Sequence, residues 1–430
     1  WRAWMAYMNQ ADQGLLSAAI EAVHKKRNLG GRLVSLQDLG YSDVGIDGGW
    51  GLCDGVNNSY HDAEGRLRIN TTKFPSFSAL TAHAHAVNLT MSWYLNCDQC
   101  VPTYHNITES AFTESWYAKD AKQAALYQFD GVKFDTQPGG PNWNITKWAI
   151  AINATGRSMV IEDCLDKHPD GTPLKKSTHP SIDILDNPEF CPFNFYRTGG
   201  DNTPRFHQSM HHVLDELVPF LNTTSPVPAS RPGCWAYPDM VAMGSSVMQD
   251  SLIAKGCPPL TFEEERTNFA NWAIVSSPLV LSFDVANDSE VARLWPIISN
   301  EWALSINEQW AGEAGRLLMR SAEIFNATSC GSGEQQSSSK EMALPTWAVW
   351  SKRLAVPAGS IAVLAVNVGE SPQSVSVGHD ELLAAGAKHG SALVETDVWT
   401  GETRHLAAGA GWAVSLPAGH DSKFVILAPV

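Results

Sequence analysis

The sequence predicts a (β/α)8 TIM barrel followed by a C-terminal antiparallel β-sandwich, on three observations. Short apolar runs alternate with Ala- and Leu-rich helical stretches over most of the chain, the pattern of βα units around a parallel sheet. Roughly eight such runs can be counted, the strand number of a TIM barrel. After Glu308-Gln309 the character changes. A polar, Ser-rich loop at 330–341 is followed by short β-rich runs with Gly, Pro and Asn turns, a sandwich signal. A boundary near 310 follows, with the barrel over 1–310 and an antiparallel β-sandwich domain over 311–430.

Taken in order, 1–8 reads as a strand and 15–26 as a helix. A short apolar run at 42–47 ends in Asp47 and a Gly-Gly turn. A helical segment at 77–87 leads into an apolar run at 89–95. The Ala-rich helix around 118–127 leads into Gly131–Asp135 (GVKFD), and a helix at 147–152 into 158–163 (SMVIED). Runs at 182–185, through Tyr196, at 234–239 and at 278–284 complete the series. In the C-terminal part, strands are expected at 347–350, 361–368, 374–377, 394–400, 412–416 and 424–427.

Composition narrows the function. The 430 residues are 44% hydrophobic and 17% charged, a globular balance that excludes a disordered chain. No apolar run reaches, without a charge, the roughly 18 residues of a spanning helix. The net charge of -15, with no basic stretch, excludes a nucleic-acid binder. The acceptor pattern Asn-x-Ser/Thr occurs at Asn57, Asn70, Asn88, Asn106, Asn144, Asn153, Asn222, Asn287 and Asn326. Chance would supply about three. With eight Cys, this points to a glycosylated, disulfide-bonded protein of the secretory pathway, secreted or lysosomal/vacuolar. The chain opens at Trp1-Arg2 without an apolar targeting stretch, so any signal peptide is expected to be gone already.

Several strands end in acids: Asp47, Asp135, Glu162-Asp163, Asp239 and Asp284, with Asp201 in the Gly-rich loop after another. Strand ends of a barrel converge on one mouth, where the reaction is built. Several carboxylates there, with few His, suit glycoside hydrolysis, which needs one carboxyl to attack and another to move protons. Taken singly, any of these Asp residues also suits a helix N-cap. His83/His85 and His211-His212 sit in helical patterns and face different ways, so no metal or cofactor is expected. Cys97-Asp98-Gln99-Cys100 stands without a second pair and reads as disulfide cysteines, one of them a candidate partner for Cys53. Cys234 and Cys257 are a further candidate pair, with Cys330 left over.

The motifs IDGGW (46–50), EGRLRINTTKFPS (64–76), WYL (93–95), GVKFD (131–135), RTGGD (197–201), PDM (238–240), NWAIVSSPLVLSFD (271–284) and SINEQ (305–309) stand in one order. In that order the chain resembles glycoside hydrolase family 27, the α-galactosidase and α-N-acetylgalactosaminidase group. The resemblance implies a barrel followed by an antiparallel β-domain, often dimeric, acting on glycans by a retaining mechanism. It implies that Asp135 is the nucleophile and Asp201 the general acid/base. Lys133 and Arg197 would bind the sugar, as would Trp4, Asp47, Tyr94 and Asp239, with Trp4 and Trp50 as aromatic walls. Cys164 and Cys191 match a family disulfide and are expected to be bonded.

The departures concern specificity. The family reads Ile-Asp-Asp-Cys-Trp where this chain has Asp47-Gly48-Gly49-Trp50, so one sugar-gripping carboxylate is missing. At the fifth strand Ser-Cys-Glu-Trp becomes Glu162-Asp163-Cys164-Leu165, so the acid that meets the C2 substituent is displaced, with Glu162 or Asp163 as the candidate to stand in for it. Tyr237 replaces an Asp at the seventh strand, and Gln137 and Gly49 replace family Cys. The resulting expectation is a retaining exo-acting α-galactosidase-like enzyme. The alternatives are β-L-arabinopyranosidase-like specificity, since that ring lacks the C6 hydroxymethyl, and a catalytically silent sugar-binding glycoprotein.

Overall fold

The computed structural model describes residues 1–55, 60–95, 114–135, 145–164, 184, 188–222, 225–328, 330 and 341–430. The chain forms two compact units, Trp1–Arg197 with Ser282–Asp288, and Thr198–Leu281 with Ser289–Val430.

The first unit is built on parallel strands Asp43–Gly45, Thr90–Leu95, Gly131–Asp135, Val160–Cys164 and Phe195–Arg197, each beside the next in sequence order. Five residues of Thr90–Leu95 are buried, as expected of a strand covered on both faces. Each intervening helix has a local reason to form. Gln13–His24 buries Leu16, Ala19, Ile20 and Val23, one stripe at helical spacing. Its N-cap Asp12 accepts from Leu15 N at 2.8 Å. Ser76 does the same for Phe77–Ala86, accepting from Ala79 N at 3.1 Å.

The expected strand at 1–8 is a correction. Arg2 makes a single parallel bridge to Gly45, and the chain then turns into the helix Ala3–Tyr7. Four of that helix's five residues are buried, so the run carries no period that separates helix from strand. The returning segment Ser282–Asp288 fastens this end: Ser282 Oγ donates to Arg2 O at 2.8 Å and accepts from Met5 N at 2.9 Å. Tyr7 OH donates to Asp284 Oδ1 at 2.7 Å, which accounts for that strand-end acid.

In the second unit the strand Trp235–Tyr237 receives Thr198 N on the Tyr237 carbonyl at 3.1 Å. The expected run at 278–284 is reduced to one bridge, Leu281 to Val241. The helix Phe262–Ile274 starts with a capping box of Thr261 and Glu264. The C-terminal part is antiparallel. A six-stranded sheet runs Thr403–Leu406, Leu393–Asp397, Ser422–Pro429, Ile361–Asn367, Trp347–Arg353 and Arg316–Arg320. The pair Gln373–Val377 and Trp412–Leu416 faces it, and both contribute to one core through Val349, Val363, Val375, Val377, Trp412, Val425 and Leu427. The expected run at 182–185 lies, Ile184 apart, outside the described residues.

Candidate active site

Side chains alternate along a strand, so Lys133 and Asp135 share one face of Gly131–Asp135. Parallel register puts Tyr94 and Glu162 on either side of Lys133, and Cys164 beside Asp135. Asp47 lies two residues beyond Gly45, which pairs with Ser92, and so reaches the same row as Tyr94.

Five of the expected residues meet here. Lys133 Nζ lies 2.9 Å from Asp47 Oδ2, with both side chains buried, and 5.5 Å from the centre of the Tyr94 ring. Tyr94 OH donates to Asp135 Oδ2 at 3.0 Å. Arg197 Nη2 stands 3.6 Å from Asp135 Oδ1 and donates to the Cys164 carbonyl at 3.3 Å. A phenol donor and a guanidinium on one carboxylate both favour its ionised, nucleophilic form. Burial, reinforced by the charges of Asp135 and Asp47, pushes the Tyr94 phenol well above its usual range, so it remains a donor.

Glu162, beside Lys133 in the sheet, is held by a cation. Arg2 grips its Oε2 with Nε at 3.1 Å and Nη2 at 3.0 Å, and only 1% of the residue is exposed. Register gives the place beside Asp135 to Cys164, leaving Glu162 one row below. Arg2 also pairs with Asp43. Removing one partner strands a buried charge, so Arg2→Leu should lower unfolding free energy by about 3–5 kcal/mol. Urea titration measures this, and Glu162→Gln in the same chain should recover part of it.

Around the missing carboxylate the two glycines differ. Gly49 has φ +87°, and a Cβ there would come within 3.1 Å of Asn9 Cα. Gly48 has no such constraint: a Cβ would rest 3.4 Å from Trp4 Cζ3 and 3.8 Å from Asn9 Oδ1. Half-buried Trp4 therefore borders this position. Asp54, a nearby acid in sequence, pairs with Arg68 at 2.6 Å. Trp50 is a correction to the aromatic wall: it is 2% exposed and packs on Tyr60 and Trp93.

The second unit carries Asp201 and Asp239. Asp201 is exposed, and its carbonyl receives Gln208 Nε2 at 3.0 Å and lies 3.2 Å from His212 Nε2. Asp239 is 1% exposed, and its Oδ2 accepts the N–H of Asn202 at 2.8 Å. The backbone at Asp239 is left-handed, φ +79°, and Trp272 Nε1 holds its carbonyl at 2.7 Å. Asp239 thus positions the loop that bears Asp201. Asn202, fully buried and bonded to Met240 O and Ser209 Oγ, belongs to the same framework. No sequence pattern marked it, because its partners are dispersed. In RTGGD, a Cβ on Gly199 would lie 1.6 Å from Glu216 Oε2, so a larger residue there would displace that side chain.

The cysteines are re-paired. Cys164 is a buried thiol, not half of a disulfide with Cys191. Strand alternation aims its sulfur at the inner row, 3.5 Å from Glu162 Oε1, and burial raises its pKa well above the usual value. Cys191, Cys234 and Cys53 are each disulfide-bonded. Cys257 joins Cys330, not Cys234, across a Cα–Cα distance of 5.5 Å. Cys97 and Cys100 lie outside the described residues, as do Asp98, Gln137, Leu165, Asn57, Asn106 and Asn144. Asn88, Asn153, Asn222, Asn287 and Asn326 are exposed and Asn70 is half-buried. Among the described residues, no helix is long and apolar enough to cross a membrane.

The family model described as alpha galactosidase A matches residues 26–309. An α-N-acetylgalactosaminidase of Rattus norvegicus is 27% identical over 296 residues, 67% of this chain and 63% of that protein. The chain thus spans just under two thirds of that relative's length. α-Galactosidase I of Mortierella vinacea superposes with a TM-score of 0.69 at 18% identity, covering 99% of this chain and 95% of that one. A β-L-arabinopyranosidase of Geobacillus stearothermophilus gives 0.71 at 18% identity, covering 100% and 95%. These likenesses show the fold, a (β/α) barrel followed by antiparallel sheets.

Proposed function

We propose, from the premise that the chain belongs to glycoside hydrolase family 27, that it is a retaining, exo-acting α-galactosidase-like hydrolase. The observation that carries the reading is Asp135, held between Tyr94 OH and the Arg197 guanidinium with the Lys133–Asp47 pair beside it. In the first step Asp135 attacks the anomeric carbon and forms a glycosyl ester, while Asp201 protonates the departing oxygen. In the second, Asp201 takes a proton from water, whose oxygen displaces Asp135 and releases the sugar. Asp47, Lys133 and Arg197 offer acceptors and donors for sugar hydroxyls, and Trp4 an apolar face. The catalytic part corresponds to 1–310 and the β-sandwich to 311–430. The exposed Asn acceptors and the disulfides support a glycosylated protein of the secretory pathway, secreted or lysosomal/vacuolar.

Gly48 favours a second reading, β-L-arabinopyranoside hydrolysis, because no carboxylate stands there to grip C4 and C6 hydroxyls. Aryl α-galactoside, α-N-acetylgalactosaminide and β-L-arabinopyranoside assayed at acidic pH separate the two, and silence on all of them would favour a non-catalytic glycoprotein. Gly48→Asp should raise activity on the α-galactoside relative to the arabinopyranoside by about 1–3 kcal/mol of transition-state binding. The position accepts a Cβ, so the variant should fold. An unmoved ratio of kcat/KM in a folded variant would remove Gly48 as a determinant of sugar choice.

A further inference from the structure

We propose that His207, Glu370 and His420 bind a divalent transition-metal ion of the zinc class. They come from the helix Phe206–His211 and from two turns, before Gln373–Val377 and before Ser422–Pro429. Their donor atoms lie within 4.8 Å of one another. Two imidazoles and one carboxylate are a zinc donor set that leaves a fourth position for water. Metal–donor bonds of about 2.0–2.1 Å place tetrahedral donors roughly 3.3–3.4 Å apart. His420 Nε2 and Glu370 Oε1 already stand 3.4 Å apart.

The second observation is His420 itself. It is 8% exposed, and its Nε2 has no hydrogen-bond partner. Its other nitrogen, Nδ1, lies 2.7 Å from Glu264 Oε1, the carboxylate–histidine arrangement that orients a metal-binding ring. His207 shows the backbone form of the same device, with Nε2 3.2 Å from the Val368 carbonyl, which leaves the lone pair on Nδ1. The His420 backbone is left-handed at φ +63°, and its ring stacks on Phe206 at 4.3 Å. A β-carbon-bearing residue keeps that conformation only where its surroundings fix it. Glu370, whose side chain is 74% exposed, can swing onto an ion without disturbing the core.

The full chain, freed of metal by a chelator and dialysed, is titrated with Zn²⁺ by calorimetry, and with Co²⁺ to read coordination from its visible spectrum. One ion per chain and a tetrahedral-type Co²⁺ spectrum are expected. Glu264→Gln keeps the capping box but removes the charge on the Nδ1 side, and should weaken Zn²⁺ by about 10–100-fold. Glu370→Gln changes an exposed side chain and should weaken it at least as much. His420→Ala should abolish it; should that variant not fold, Glu370→Gln and the Co²⁺ spectrum decide. Absent stoichiometric binding, or binding unchanged in Glu370→Gln, would overturn the site.

Discussion

Asp135→Asn should stop turnover of aryl and natural glycosides alike, with a loss on the order of 10⁴- to 10⁶-fold in kcat, the scale of removing a covalent nucleophile. An amide in that place cannot form or release a glycosyl ester. The variant is close to isosteric, and Tyr94 OH can still donate to the amide oxygen, so the fold should stand. Circular dichroism and the urea midpoint check that it does. Wild-type activity in a folded Asp135→Asn protein would reject Asp135 as the nucleophile. Loss with an unchanged midpoint supports it.

Asp201→Asn should act differently according to the leaving group. A general acid contributes about 10²–10⁴-fold, and that help is needed most by a sugar or alkyl alcohol that leaves poorly. On natural glycosides the whole effect should appear. Glycosyl transfer from an activated dinitrophenyl glycoside should be largely spared, and the slow second step should then reveal an initial burst. The loop has reason to survive the change, since Gln208 and His212 hold the Asp201 carbonyl and Asp239 holds the next N–H. Equal losses in kcat/KM, which reports the first step, on both leaving groups would remove Asp201 from the acid/base role.

The fold was legible where sequence patterns are local. Gly131–Asp135 and Trp412–Leu416 are bounded apolar runs, and the strands occupy those residues. Thr403–Leu406 escaped because three of its four residues are exposed, so an edge strand of this kind carries no alternating apolar signal. The N-terminal helix escaped for the opposite reason, burial on every side. In the site, period two was enough to put Lys133 and Asp135 on one face. Their partners were another matter. Asp47 is 86 residues from Lys133, and the bond between them comes from sheet register. Glu162 reads as a strand-end acid, yet the charge that claims it is Arg2, 160 residues away. The Cys164–Cys191 pairing that the resemblance implied failed as well, because strand alternation points Cys164 into the inner row beside Glu162.

The turn at Gly48-Gly49 separates two demands that a single residue would otherwise combine. Gly49 maintains the backbone path, so the neighbouring position is released from conformational duty and can change for chemical reasons alone. Glycine and aspartate codons differ by one base, and the structure places no steric barrier between them at Gly48. The presence of a carboxylate at this corner is therefore one mutational step away, in either direction. A population of such genes can exchange a carboxylate for open space, and back, without passing through an unfolded intermediate.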